Sequence, residues 1–84
     1  MSQLEKLIFR LKARPKDFSF NEAKSLLLAL NYEIDNKGRT TGSAVAFRQA
    51  GRGIIMLHKP HPNNALKMYQ VKNLLETLEK EGLI

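Results

Sequence analysis

Residues 43–57 read SAVAFRQAGRGIIML, and this stretch decides the fold. Val45 and Phe47 alternate with Ala44, Ala46 and Arg48, the period of two that sends one set of side chains to a core and the other to the opposite face of a strand. Residue 44 is therefore expected to point away from the core. Ala50, Gly51, Arg52 and Gly53 supply a hairpin connection. Ile54 to Leu57 is then a continuous β-prone run, for which periodicity alone leaves the inward face open. Upstream, Tyr32 and Ile34 alternate with Glu33 and Asp35 as a short strand, and Asn36 to Gly42 reads as a turn rich in Gly, Lys and Arg.

Outside the strands the period changes. Leu4, Leu7, Ile8 and Leu11 fall at i, i+3, i+4 and i+7, which predicts a first helix that Pro15 stops. Ser19 stands three residues before Glu22, the spacing of a capping box, so a second helix starts there. Its stripe is Ala23, Leu26, Leu27 and Leu30, and Asn31 is expected to end it in a left-handed conformation. Residues 58–65, with Pro60, Pro62 and two Asn, form an irregular loop. From Lys67 the stripe Val71, Leu74, Leu75, Leu78 predicts a last helix closed by Gly82. The order α-α-β-β-β-α predicts an α+β fold: a three-stranded antiparallel sheet with helices on one face, resembling the double-stranded RNA-binding domain with one added helix.

The chain has 84 residues, 43 % of them hydrophobic and 26 % charged, which is the composition of one small globular domain. No apolar run approaches the roughly 20 residues that span a bilayer, and residues 1–15 lack the pattern of a secretory signal. A cytoplasmic location is expected. With no cysteine, disulfide frameworks, zinc knuckles and thiol nucleophiles are excluded. Fourteen Lys and Arg against eight Asp and Glu leave a charge of +6, which favours a polyanionic partner.

Histidine is the side chain that titrates near neutral pH unaided, and the chain has His58 and His61, flanking Lys59 and Pro60. A metal-free ribonuclease needs a base for the ribose 2′-hydroxyl, a cation for the phosphorane and an acid for the leaving oxygen. His58, Lys59 and His61 are the right types for this, although two histidines in a short loop are more often solvated or in contact with phosphate. No nearby Asp, Glu or Cys completes a metal shell, so no cofactor is expected. Gly42 and Ser43 permit close approach to a phosphate at a strand entry, and also suit an ordinary turn. Arg48, Lys59 and Lys67, with Arg39 and Lys72, form a basic RNA-binding surface if turn, outer sheet face and last helix adjoin. Ala44 is out of place, because an outward strand position usually carries a β-branched, aromatic or charged residue.

Three stretches together carry a family resemblance: Phe20 to Tyr32 (FNEAKSLLLALNY), Thr41 to Arg48 (TGSAVAFR) and His61 to Lys67 (HPNNALK). In this order they resemble the HicA toxins of bacterial toxin-antitoxin pairs, over residues 18–83 of a single domain spanning 1–84, with 1–15 as an additional helix. The resemblance implies a metal-independent endoribonuclease that cleaves mRNA and is neutralised by a HicB-like antitoxin. It places Gly42, Ser43 and Phe47 in a Gly-Ser-His-x-x-Phe motif and His61, Pro62, Leu66 and Lys67 in a His-Pro-Gly-x-x-Leu-Lys motif. Ala44 then occupies the position of the family's catalytic histidine. Members with a stretch like Leu57 to Pro62 can carry Arg there. The implied alternatives are an engineered detoxified variant, a natural member that binds without cutting, and one that uses His58 and His61 instead. Two other classes stand beside the toxin: a nonenzymatic RNA-binding module, and an interaction protein that docks through its first helix.

Overall fold

The computed structural model describes residues 2–35, 44–58 and 65–84, position 44 by its backbone. The element order is α1 (Gln3–Lys12), α2 (Phe20–Ala29), β1 (Glu33–Ile34), β2 (Ala44–Arg48), β3 (Ile55–His58) and α3 (Met68–Lys80), which is the expected α-α-β-β-β-α order of an α+β fold. The sheet is antiparallel in the order β1-β2-β3. Its inner face carries Phe47, Ile55 and Leu57, which join Leu26, Leu27, Val71, Leu74 and Leu78 of the helices in one core. Among the described residues no helix lies on the other face, where Ile54 is 60 % and Met56 50 % exposed.

The first two helices start at side-chain caps, whereas α3 starts at Lys67 without one. Ser2 accepts the Glu5 N–H at the head of α1, and the Ser19–Glu22 capping box is complete at the head of α2, each group accepting the other's backbone N–H. α1 ends at Lys12, ahead of Pro15, with Arg14 at φ 52. Asn31 ends α2 at φ 72 and Gly82 follows α3 at φ 74, the two left-handed ends that the sequence predicts. Between β2 and β3 the Arg52 N–H closes on the Gln49 carbonyl at 3.0 Å. Gly51, third in that turn, has φ +80, and Ala50 is not among the residues of positive φ, which is a type II turn.

The added helix packs on the chain's own core. Leu7 and Leu11 are buried against it, while Leu4 and Ile8 are half-covered. Arg10 ties α1 to the head of α2: its Nε donates to Glu22 Oε2 at 2.5 Å and its Nη2 to Glu22 Oε1 at 3.1 Å, with Asp17 Oδ1 3.3 Å away. The same guanidinium lies 5.8 Å from the centre of the Phe18 ring, whose residue is wholly buried. Partial burial raises the Glu22 carboxyl, but the hydrogen bonds from Arg10 and Ser19 and the Arg10 charge outweigh it, so it titrates below its ordinary value.

One strand position differs from the alternation. Ala46 shares the outward parity with Arg48, yet it is only 7 % exposed. Its side chain is a single methyl in the central strand, with larger neighbours on both flanks, Met56 opposite it among them. Small size rather than direction hides it.

Candidate functional site

The ladder between β2 and β3 pairs Ala44 with His58, Val45 with Leu57, Ala46 with Met56 and Phe47 with Ile55. Directly opposed residues of an antiparallel pair lie on one face, their Cβ atoms about 4.5–5.5 Å apart. Position 44 and His58 therefore share the uncovered face of the sheet, and His58 is exposed there. Two candidates from separate stretches meet at one rung.

His58 is held from behind. Its backbone N–H donates to Gln70 Oε1 at 3.0 Å, and Gln70, 7 % exposed, is the buried polar residue of the core region. Gln70 sits in the first turn of α3, where its own N–H donates to the Lys67 carbonyl at 2.9 Å. The end of β3 and the start of α3 are thereby locked side by side, with Lys67 exposed as the residue preceding the helix. A second tie closes the same corner: Leu66 N–H donates to the Phe18 carbonyl at 2.8 Å, and Ser19 bridges Ala65. Sequence reasoning passed over Gln70, although it carried a signal. It falls on the α3 stripe four residues before Leu74, and an amide on an apolar face requires a buried partner.

Arg48 lies elsewhere. It is four residues along β2 from position 44, a separation of about 13 Å at the rise of a strand. Its ladder partner is Glu33, and it borders a cleft of ≈ 540 Å³ together with Asn31, Gln49, Arg52 and Ile54. Arg52 is committed to structure there, since its Nη1 donates to the Glu81 carbonyl at 3.1 Å and faces Glu81 Oε2 at 3.4 Å. Beneath this end, burial pushes the Tyr32 hydroxyl above its ordinary pKa, and the nearby Glu81 charge adds to the effect. Arg48 thus stands along β2 from the position 44 rung, while Lys67 lies next to the end of β3 through the Gln70 link. Gly42, Ser43, Lys59 and His61 lie outside the described residues, as does the side chain of Ala44.

Among the described residues no helix is long and apolar enough to cross a membrane. No curated protein and no solved structure matches the chain. A family model described as the HicA toxin of bacterial toxin-antitoxin matches residues 20–79, which leaves α1 outside the match and takes in the sheet, the position 44 rung and α3. The chain therefore belongs to the HicA toxin family, the toxin member of a bacterial toxin-antitoxin pair with an antitoxin as its partner.

Proposed function

We propose that this chain is an mRNA-directed endoribonuclease toxin of a type II toxin-antitoxin system, neutralised in the cytoplasm by a HicB-like antitoxin, and that Ala44 leaves its chemistry weakened or absent. The observation that carries this reading is the rung joining position 44 to His58 on the helix-free face of the sheet. RNA lies against that face, with Gly42, Ser43, Lys59 and Lys67 as phosphate contacts and Arg48 reaching the strand farther along β2. In-line attack by a ribose 2′-oxygen on phosphorus removes a proton from the 2′-hydroxyl and delivers one to the departing 5′-oxygen, leaving a cyclic phosphate. His58 and His61 are of the residue type that performs both transfers, without a metal. A histidine at position 44 adds a third transfer group opposite His58, whereas an arginine there adds a cation for the phosphorane.

Alanine supplies neither. Loss of a general base or of a transition-state cation lowers a rate by a factor of roughly 100 to 10,000. Ala44→His and Ala44→Arg are expected to cleave a synthetic mRNA faster than the parent by a factor in that range, and to arrest growth on induction. If both fold as the parent does and neither gains cleavage or toxicity, position 44 is not the missing element. RNA binding without cleavage in all three chains would then favour the nonenzymatic module.

A further inference from the structure

The three-stranded sheet ends at β3, and the hydrogen bonds show which backbone groups that edge leaves open. Asp35 N–H donates to the Ala46 carbonyl at 2.8 Å, so the polar groups of Ala46 face β1. By alternation those of Val45 and Phe47 face β3, where Leu57 and Ile55 are their partners. The backbone groups of Met56 and His58 therefore point away from β2, as do those of Ile54 by the same rule. His58 confirms the direction, because its outward N–H is the one taken by Gln70. The N–H and carbonyl of Met56 meet no partner among the described residues.

An open edge is a template for another strand, and proteins commonly blunt it with lysine, proline or a bulge. The edge strand β3 reads Ile55-Met56-Leu57-His58 and is preceded by Ile54, with no lysine, proline or glycine within it. Beside it runs a groove of ≈ 320 Å³ between β3 and α3, floored by Leu57 and Leu74 and rimmed by Asn73 and Thr77. No charged side chain lines the groove, so it does not attract a polyanion such as RNA. A second copy would set two chains of +6 edge to edge. The net charge of +6 favours an acidic protein over a second copy, and at the uncharged edge itself the main chain of that protein meets the strand while its apolar side chains meet Ile54 and Met56.

We propose that the antitoxin docks an extended segment along β3 as a fourth strand of the sheet, its alternate side chains entering the groove beside α3. This rests on the reading of the chain as a toxin held by an acidic antitoxin. A strand on this edge carries its remaining side chains onto the face of Met56 and His58, so docking there also covers the RNA-facing rung.

The test uses the full chain co-expressed with a HicB-like antitoxin. In the complex, exchange of the Met56 amide hydrogen should slow by about tenfold or more relative to the free chain. Met56→Pro removes the outward N–H without breaking a ladder bond, as edge strands tolerate. It should weaken antitoxin binding by about tenfold, the scale of one backbone hydrogen bond and its neighbour, while thermal unfolding stays near the parent's. The exchange measurement needs no substitution and decides the matter if the proline variant does not fold. A bound antitoxin that leaves the Met56 amide unprotected overturns the edge while the toxin reading stands. An antitoxin that fails to bind the parent overturns both. Protection of Met56 in a free chain that sediments as a dimer, or by an RNA oligonucleotide, also overturns the proposal.

Discussion

The corner around Arg10 and the outer face of the sheet use similar residues to opposite ends. At the corner, Arg10 bonds Asp17 and Glu22, Glu22 and Ser19 cap each other's backbone, and a buried Phe18 lies under the guanidinium. On the outer face, Met56 and Ile54 are half or more exposed and His58 has its side chain in solvent. Among the described residues His58 is held through its backbone N–H. Bonded polar groups mark where the fold is held, and the outer face carries few of them among the described residues. Arg48 belongs with the outer face although it stands across the ladder from a carboxylate, because it forms no ion pair with Glu33 among the described residues.

The largest contrast comes from truncating one side chain in each region. Phe18→Ala removes a wholly buried ring at the corner that links α1, the Leu66 backbone and the core. It should cost about 3–5 kcal/mol, a large share of the roughly 5–15 kcal/mol that holds a small domain together. Met56→Ala on the outer face should cost less than about 1 kcal/mol. Urea midpoints of the two variants check this. Equal losses would mean that the outer face is part of the core and not a surface kept for partners.

A smaller effect, dependent on pH, comes from Glu22. Its folded-state pKa is lowered because Arg10 and Ser19 hydrogen-bond to the charged form. Such a group contributes stability that is present above the unfolded-state pKa and is lost as pH falls through the folded value. Glu22→Gln should therefore lower stability by about 1 kcal/mol at neutral pH, the scale of a capping interaction and a partly exposed ion pair. The gap between variant and parent should close in acid, below the ordinary carboxylate range. Thermal unfolding from neutral to acid pH measures it, and a gap that persists unchanged in acid would assign the loss to packing.

The sequence showed the helices and the sheet order because their causes are local: a capping box at Ser19, stripes at helical spacing, Asn31 and Gly82 at left-handed ends. It also singled out position 44 and His58, from separate stretches of the chain. It did not show that they share a rung, since register depends on where the Gln49–Arg52 turn closes. The inward face of residues 54–57 was undecidable for the same reason, and the ladder assigns it to Ile55 and Leu57. Parity along a strand gives the face of Arg48 but not its distance from the position 44 rung, which the ladder supplies. Gln70 was legible in principle, as an amide on an apolar stripe.

The smallest effect on folding and the clearest on function are expected at Arg48. Its side chain is exposed, and cross-strand charge pairs contribute well under about 1 kcal/mol even when formed, so Arg48→Ala should shift stability by no more than about 0.5 kcal/mol. RNA affinity should respond differently. If Arg48 reaches one phosphate of a single strand, its removal takes away the counterion release that accompanies that contact, and the slope of log affinity against log salt falls by about 0.7. Lys67→Ala should lower the slope by a similar amount, and the double variant by the sum, because the two residues stand at opposite ends of the sheet and share no partner. Filter binding of a single-stranded oligonucleotide across a salt series reads all three. A short oligonucleotide, too small to span from His58 to Arg48, should feel Lys67→Ala and not Arg48→Ala. Equal sensitivity to both on that probe would place Arg48 and Lys67 at one station and remove the distinction between the two ends of the outer face.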